Sequence, residues 1–340
     1  PKKLLVVTVT TGFRHCSIET AEQVIKQIGE QSGAFSVDYV HQPEGQPKNP
    51  GRPPVRDPKK DTDESFKAKS EAYSKALAEF NEASKTWGDK IKDYMADKMA
   101  IEKIKNYDGF VFANTTGALQ LPDRDGFIEL IRGGKAFIAM HSGSDTYHPF
   151  RGYIDMLGGE FQTHKAQVEI QPVVHDRAHA AGKMFPEGWK VFDEIYIIKS
   201  YDPARVHQIL GLNEHPNDKT PGYYPVSWVR EEGKGRVFYT SLGHREDVWT
   251  NPIFQNILVG GVKWALGDVQ AELTPNLKET APGAMTNPPY VEPPPPKPVP
   301  LEQVGTPNAP EPPAPAEEPA PVQQSSQRRS VDPSNEPSSW

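Results

Sequence analysis

Short, nearly continuous apolar runs, each followed by a polar turn and a helical pattern, constrain this chain most. Residues 4–10 read Leu-Leu-Val-Val-Thr-Val-Thr. A β-branched run of that length without polar alternation fits a strand buried on both faces. After Thr11-Gly12-Phe13-Arg14-His15, a helical face of Ile18, Ala21, Val24, Ile25 and Ile28 follows, and then Phe35, Val37 and Tyr39 alternate as a second strand. The rhythm resumes at 108–114, a third strand. A helix over 122–132 follows, with Pro122 in its first turn and Gly133-Gly134 closing it, then a fourth strand over 135–140 and a helix over 147–157. Strands alternating with helices predict a parallel sheet covered on both faces, a flavodoxin-like doubly wound α/β body.

Two stretches interrupt that pattern. Residues 42–63 are rich in Pro, Gly, Lys and Asp and read as loop; residues 64–99 are Ala/Lys/Glu-rich and read as a solvated helical hairpin. Together they form a helical insertion over about 42–105. Five runs of β-type patterning, at 167–174, 191–199, 206–211, 225–230 and 236–241, supply extra strands; a closing helix capped by Asn251-Pro252 stops at Gly267.

From 268 the composition changes. The chain holds 35 prolines, and just over half lie after residue 274. A Pro-rich extended tail over 268–340 is expected, with Tyr290 and Trp340 as its candidate apolar anchors. The expected division is a body of 1–267 and this tail.

Several classes drop out. A net charge of −7 with scattered basic residues argues against nucleic acid as a partner. No apolar run reaches the length of a membrane span, so the chain is not expected to cross one. The single cysteine, Cys16, excludes an internal disulfide framework and a Cys-based zinc site. The opening Pro1-Lys2-Lys3 fits a removed initiator Met or a mature chain after signal cleavage.

Ligands of open α/β sheets bind beyond the carboxyl ends of the strands. Four turns place polar residues there: Arg14 and His15; Asn114 to Gly117; His141 to Asp145; and Ser241 to Glu246. The turn Ala139-Met140-His141-Ser142-Gly143 occupies the bend where many α/β enzymes hold a nucleophile. His141 suits acid–base work, hydrogen bonding or metal ligation better than covalent attack. Imidazoles with one carboxylate also suit zinc or a similar divalent ion; the helical His-Glu-x-x-His motif is absent, so ligands must come from separate loops.

Six segments in order, Gly12 to His15, Met140 to Asp145, Gly158 to His164, Asp193 to Tyr196, Pro225 to Trp228 and Tyr239 to His244, resemble the ThuA-like (trehalose-utilisation) family. The resemblance spans roughly 3–267 outside the 42–105 insertion. It implies the class I glutamine amidotransferase-like fold. The amidotransferase cysteine is replaced by His141, so it implies no glutaminase activity. It implies a link to keto-sugar or disaccharide processing at a histidine-lined site, with a sugar-type small molecule as partner, and an exported chain, periplasmic or secreted. The expected catalytic set is His141, His244, His15 and Glu194. The expected sugar-binding set is Arg14, Asn114, Ser142, Asp145, His164 and Trp228. Three roles stay open: Asp145 either orients a histidine or caps a helix; Glu194 acts either as a catalytic carboxylate or in pairing a rim cation; Arg14 holds a polyhydroxyl ligand or is a plain surface arginine. The insertion and tail depart from the compact family pattern. They allow a second reading, a non-catalytic accessory or scaffold subunit of a larger extracytoplasmic assembly, docked through 268–340 or 64–99. His148, His175, His179, His207 and His215 are expected to be surface or structural.

Overall fold

The computed structural model describes residues 1–282. The expected tail beyond them, with Tyr290 and Trp340, lies outside the described residues. The chain runs β1 (Lys2–Val7), α1 (Ile18–Ser32), β2 (Phe35–Val40), α2 (Asp63–Lys98), α3 (Ile101–Ile104), β3 (Gly109–Ala113), α4 (Arg124–Arg132) and β4 (Ala136–Met140). A 3₁₀ turn, His141–Asp145, leads to α5 (Arg151–Leu157). Then come β5 (Glu160–His164), β6 (Val168–Ile170), β7 (Val173–Val174), β8 (Val191–Asp193), β9 (Tyr196–Lys199), β10 (His207–Glu214), β11 (Pro221–Glu232) and β12 (Gly235–Thr240). The helices α6 (Glu246–Trp249), α7 (Pro252–Ala265) and α8 (Leu277–Thr280) close the described part.

The main sheet has the order β2-β1-β3-β4-β12-β11-β10-β7. Its first five strands are mutually parallel, and β11, β10 and β7 extend it antiparallel. This is the flavodoxin-like order with an added antiparallel wing. Alternate residues feed two cores. Leu4, Val6, Val111 and Ile138 face α1 and α7. Leu5, Val7, Phe110, Phe112 and Phe137 face α4, α5 and the C-terminal end of α2. A strand buried on both sides needs apolar residues at every position, which is why these segments lack alternation.

Four local expectations are corrected. The insertion carries one 36-residue helix, not a hairpin. Between Asp63 and Lys98 the chain has no proline and a single glycine, Gly88, so no turn interrupts a run of good helix formers. Thr62 caps it, accepting from the Ser65 N–H at 3.1 Å. The helix after β3 begins past Pro122, because the Asp123 carboxylate takes the cap, accepting from the Gly126 N–H at 2.7 Å. The 147–157 helix starts only at Arg151. The runs at 167–174 and 191–199 are each broken in two, giving two small antiparallel sheets, β5 with β9 and β6 with β8.

Residues 268–282, assigned by composition to the tail, return to the body. Asn276 accepts from the Gln208 N–H at 2.8 Å and donates to its carbonyl at 2.9 Å, while Leu277 is buried beside Tyr223. The packed body therefore continues past Gly267. No helix among the described residues is long and apolar enough to cross a membrane.

Candidate functional site

Parallel strands deliver their carboxyl ends to one edge of the sheet, so the loops after β1, β3, β4 and β12 converge there. His141 is the first residue after β4 and adopts φ +46°. That left-handed backbone is costly for a residue with a Cβ. Its carbonyl is held by the Tyr239 hydroxyl at 2.9 Å and the Ser144 hydroxyl at 3.2 Å. Gly143 completes the bend, since a Cβ there would lie 2.9 Å from that of Ala139. The tight bend of nucleophile-bearing α/β proteins is thus present, with an imidazole at its apex.

The His141 ring is fixed in one tautomer. Its Nδ1 lies 2.7 Å from the Ser241 carbonyl, which can only accept, so Nδ1 carries the proton. Nε2 then points into the site. The ring also packs on Tyr196, centroid to centroid 4.1 Å. His15, from the loop after β1, stands edge-on to His141 and His244 at 4.8 and 5.1 Å between centroids. Its Nδ1 lies 3.3 Å from Ser142 Oγ.

His244 follows Gly243, and the Gly243 peptide is gripped from both ends. Its carbonyl accepts from Trp249 Nε1 at 2.7 Å, Asn114 Nδ2 at 2.8 Å and Ser17 Oγ at 3.2 Å. Its N–H donates to Asp193 Oδ2 at 2.7 Å. Gly243 has φ +115°, a conformation open to glycine and unfavourable for other residues.

Glu194 arrives from the break between β8 and β9. Its N–H donates to Asp193 Oδ1 at 3.0 Å. Its Oε2 lies 3.1 Å from His244 Nδ1 and 3.6 Å from His141 Nε2. Its Oε1 lies 3.1 Å from His164 Nδ1, at the end of β5. His15, His141 and Glu194 are buried and His244 is nearly so, whereas the His164 side chain is 41% exposed. The cluster is therefore reached past His164 and His244, with Phe13 exposed beside His15.

Charge in the cluster follows this arrangement. Burial alone would raise the Glu194 pKa, but hydrogen bonds from His141 and His244 and their positive charge outweigh it and hold the carboxyl well below its ordinary range. Burial, reinforced by the neighbouring His141 and His244, pushes His15 down to about 2, so this imidazole is neutral. Burial raises the Asp193 carboxyl.

The structure thus brings His15, His141, His244, Glu194 and His164 together. The other expected site residues sit elsewhere or do other work. Trp228 is a correction: β11 lies between β10 and β12, and the indole is fully buried in the core, donating to the Leu157 carbonyl at 2.8 Å. Arg14 donates to the Thr8 carbonyl at 2.8 Å, with Glu22 and Glu19 as its charged neighbours. Asp145 does orient a histidine, but it is His148 at 2.6 Å, whose other nitrogen meets Glu160 at 2.7 Å. Asn114 is buried and spends its amide on Ser17 and Gly243, and Ser142 is buried against His15. Cys16 is exposed.

Two residues escaped the expected set. Asp193 ties the Glu194 and Gly243 backbones together, and Tyr196 walls His141. The signal was a paired Asp193-Glu194 at the end of an otherwise apolar strand.

The ThuA family, described as trehalose utilisation, matches residues 62–265, more than half of the chain. The chain belongs to the ThuA family. The matched span begins at the cap of α2, so the long helix lies inside it, and it contains His141, Glu194 and His244 while His15 precedes it. Two solved ThuA-like proteins share the fold. The one from Parabacteroides merdae ATCC 43184 is 17% identical, covering 80% of this chain and 92% of that one, with a TM-score of 0.55. The one from Bacteroides uniformis ATCC 8492 is 16% identical, covering 82% and 96%, with a TM-score of 0.52. No curated protein sequence matches the chain.

Proposed function

We propose that this ThuA protein processes a sugar-type small molecule, a disaccharide or its keto derivative, at the histidine cluster on the carboxyl edge of the sheet. The observation that carries the reading is the convergence of three imidazoles and Glu194, from four separate loops, at the one sheet edge where such folds take ligands. The gaps between these groups leave no room for a sugar ring inside the cluster, so the sugar sits at its mouth. There Phe13, 61% exposed, offers an apolar face to sugar C–H bonds, and His164 offers a hydrogen bond. The chemistry is proton transfer beside a keto group. A base of the cluster takes the proton from the carbon, and a neighbouring acid returns one to the adjacent oxygen or carbon, so isomerisation needs no co-reactant. An elbow bearing an imidazole in place of a thiol has no place in glutamine hydrolysis.

The full chain is incubated with a panel of disaccharides and their keto derivatives in deuterated water, and exchange and product are followed by NMR. Wild-type turnover is expected to fall by about 10²–10⁴ in His244→Ala and Glu194→Gln. Turnover unchanged in both variants, or no turnover of any sugar in the panel, removes the reading.

A further inference from the structure

The cluster at the mouth of the sheet also has the geometry of a coordination site. Tetrahedral zinc has bonds of about 2.0–2.2 Å to nitrogen and oxygen, which places neighbouring ligand atoms about 3.3–3.5 Å apart. Three edges here lie within a few tenths of an ångström of that figure: His244 Nδ1 to Glu194 Oε2 at 3.1 Å, His244 Nδ1 to His141 Nε2 at 3.3 Å, and His141 Nε2 to Glu194 Oε2 at 3.6 Å. His15 adds a fourth candidate ligand, and the ligand atoms of all four residues lie within 4.8 Å of one another. Among the described residues this is the one group of His, Cys, Asp and Glu that meets such a test.

A second observation is independent of spacing. The Ser241 carbonyl holds the His141 Nδ1 proton, so Nε2 is the ring nitrogen turned toward Glu194 and His244. A histidine whose outer nitrogen donates to a backbone carbonyl is also the usual support for a metal ligand, and His164 fixes the far oxygen of Glu194 in the same supporting way.

We propose that His141, His244 and Glu194 bind one divalent transition-metal ion of the zinc class, with His15 as the fourth candidate ligand. The inference uses the same cluster as the proposed sugar site and rests on that reading for its chemistry. A sugar offers adjacent hydroxyl and keto oxygens, a natural chelating pair for such an ion. Coordination occupies the lone pairs of His141 and His244 and leaves His164, at the open side, for proton exchange with a bound sugar.

Tag-free full chain is analysed for metal as purified, then stripped with a chelator and titrated with zinc alone and with cobalt(II) alone by calorimetry. One ion per chain, a raised Tm, and visible cobalt bands of a low-coordinate nitrogen–oxygen site are expected. His141→Gln and Glu194→Gln abolish binding. His164→Ala retains one ion per chain with affinity lowered about 10–100-fold. His244→Gln, at the half-open corner, serves where circular dichroism shows that a buried variant has not folded. No ion bound by folded wild type, or wild-type affinity in folded variants, overturns the proposal and leaves a cluster bridged by protons only. Metal binding is read without sugar, so one ion per chain with no sugar turnover counts against the sugar reading alone. Sugar turnover that survives complete stripping counts against the ion alone.

Discussion

His141 combines two costs, a left-handed backbone and full burial, and the surroundings sustain both through Tyr239, Ser144 and Ser241. A position that keeps a Cβ at φ +46° gives a prediction in which stability and activity separate. His141→Gly relieves the backbone and loses the ring, whereas His141→Ala loses the ring and keeps the strain. In urea unfolding, the glycine variant is expected to be the more stable of the two by about 1 kcal/mol, with both inactive. Asp193 makes the complementary case. Its two oxygens each accept from a backbone N–H, and asparagine offers only one acceptor. Asp193→Asn is expected to cost about 1–3 kcal/mol in the same assay and to lower turnover by displacing His244, with no loss of any group that touches the sugar.

At the level of elements, α2 is anchored at one end. Ile91 and Met95 are its buried residues, both in the last three turns, while Phe66, Tyr73, Leu77 and Phe80 are only partly buried. The preceding loop runs along it, with Tyr73 donating to the Gly51 carbonyl and Lys90 to that of Glu44. Met95→Ala is expected to destabilise the protein by about 2–5 kcal/mol in chemical denaturation, because it empties core space under β1 and β3. Lys75→Ala, which removes an exposed pairing with Glu79, is expected to cost at most about 0.5 kcal/mol. The reading of the sequence at this scale succeeded where the chain obeys one period. β1, β3 and β4 are buried on both faces, so their apolar runs announce both the strand and the loop after it. His15, His141 and His244 were legible partly for that reason, following β1, β4 and β12, and partly through the family resemblance. The failures have a common cause, which is that local pattern does not report partners. A strand run and two short strands around a corner look alike over 191–199, yet the corner is what swings Glu194 into the cluster. Trp228 sits in a motif shared with the rim loops, but its burial depends on which strands flank β11, and no local period encodes that. The long helix read as a hairpin because its length, about 54 Å at 1.5 Å per residue, exceeds what a surface insertion usually spans.

For the whole molecule, acid is the condition to which the fold is most exposed. His175 and His179 are both pushed down to about 4, in each case chiefly by burial, with the charge of His207 adding to it. Asp176 opposes this beside His179; it is kept ionised by the N–H groups of His179 and Ala178 and by His207, against the effect of its own burial. An unfolded histidine titrates near ~6.5, so between about pH 6.5 and 4 the unfolded chain takes up protons that the folded chain refuses. The share of stability that depends on these two histidines is therefore full above about pH 6.5 and falls as the pH drops toward 4, by at most about 1.4 kcal/mol per pH unit for each. His148 behaves in the opposite sense: burial opposes its charge, but Asp145 and Glu160 outweigh that and raise its pKa, so its contribution is lost as the pH rises. Urea midpoints measured across that acid range should decline, and His179→Asn should flatten the slope. His175 also meets Thr280, and His207 meets the Thr274 carbonyl, so hydrogen-exchange protection of residues 274–281 should be the first to fall.

The four corners of the cluster are numbered 15, 141, 194 and 244. No fragment that ends before the last of them, and no half of the sheet folded by itself, can bring all four together. During synthesis the ribosome must release nearly the whole body before the first imidazole meets its final neighbour. The assembled cluster is thus a certificate of complete folding, and a truncated or misassembled copy lacks it altogether.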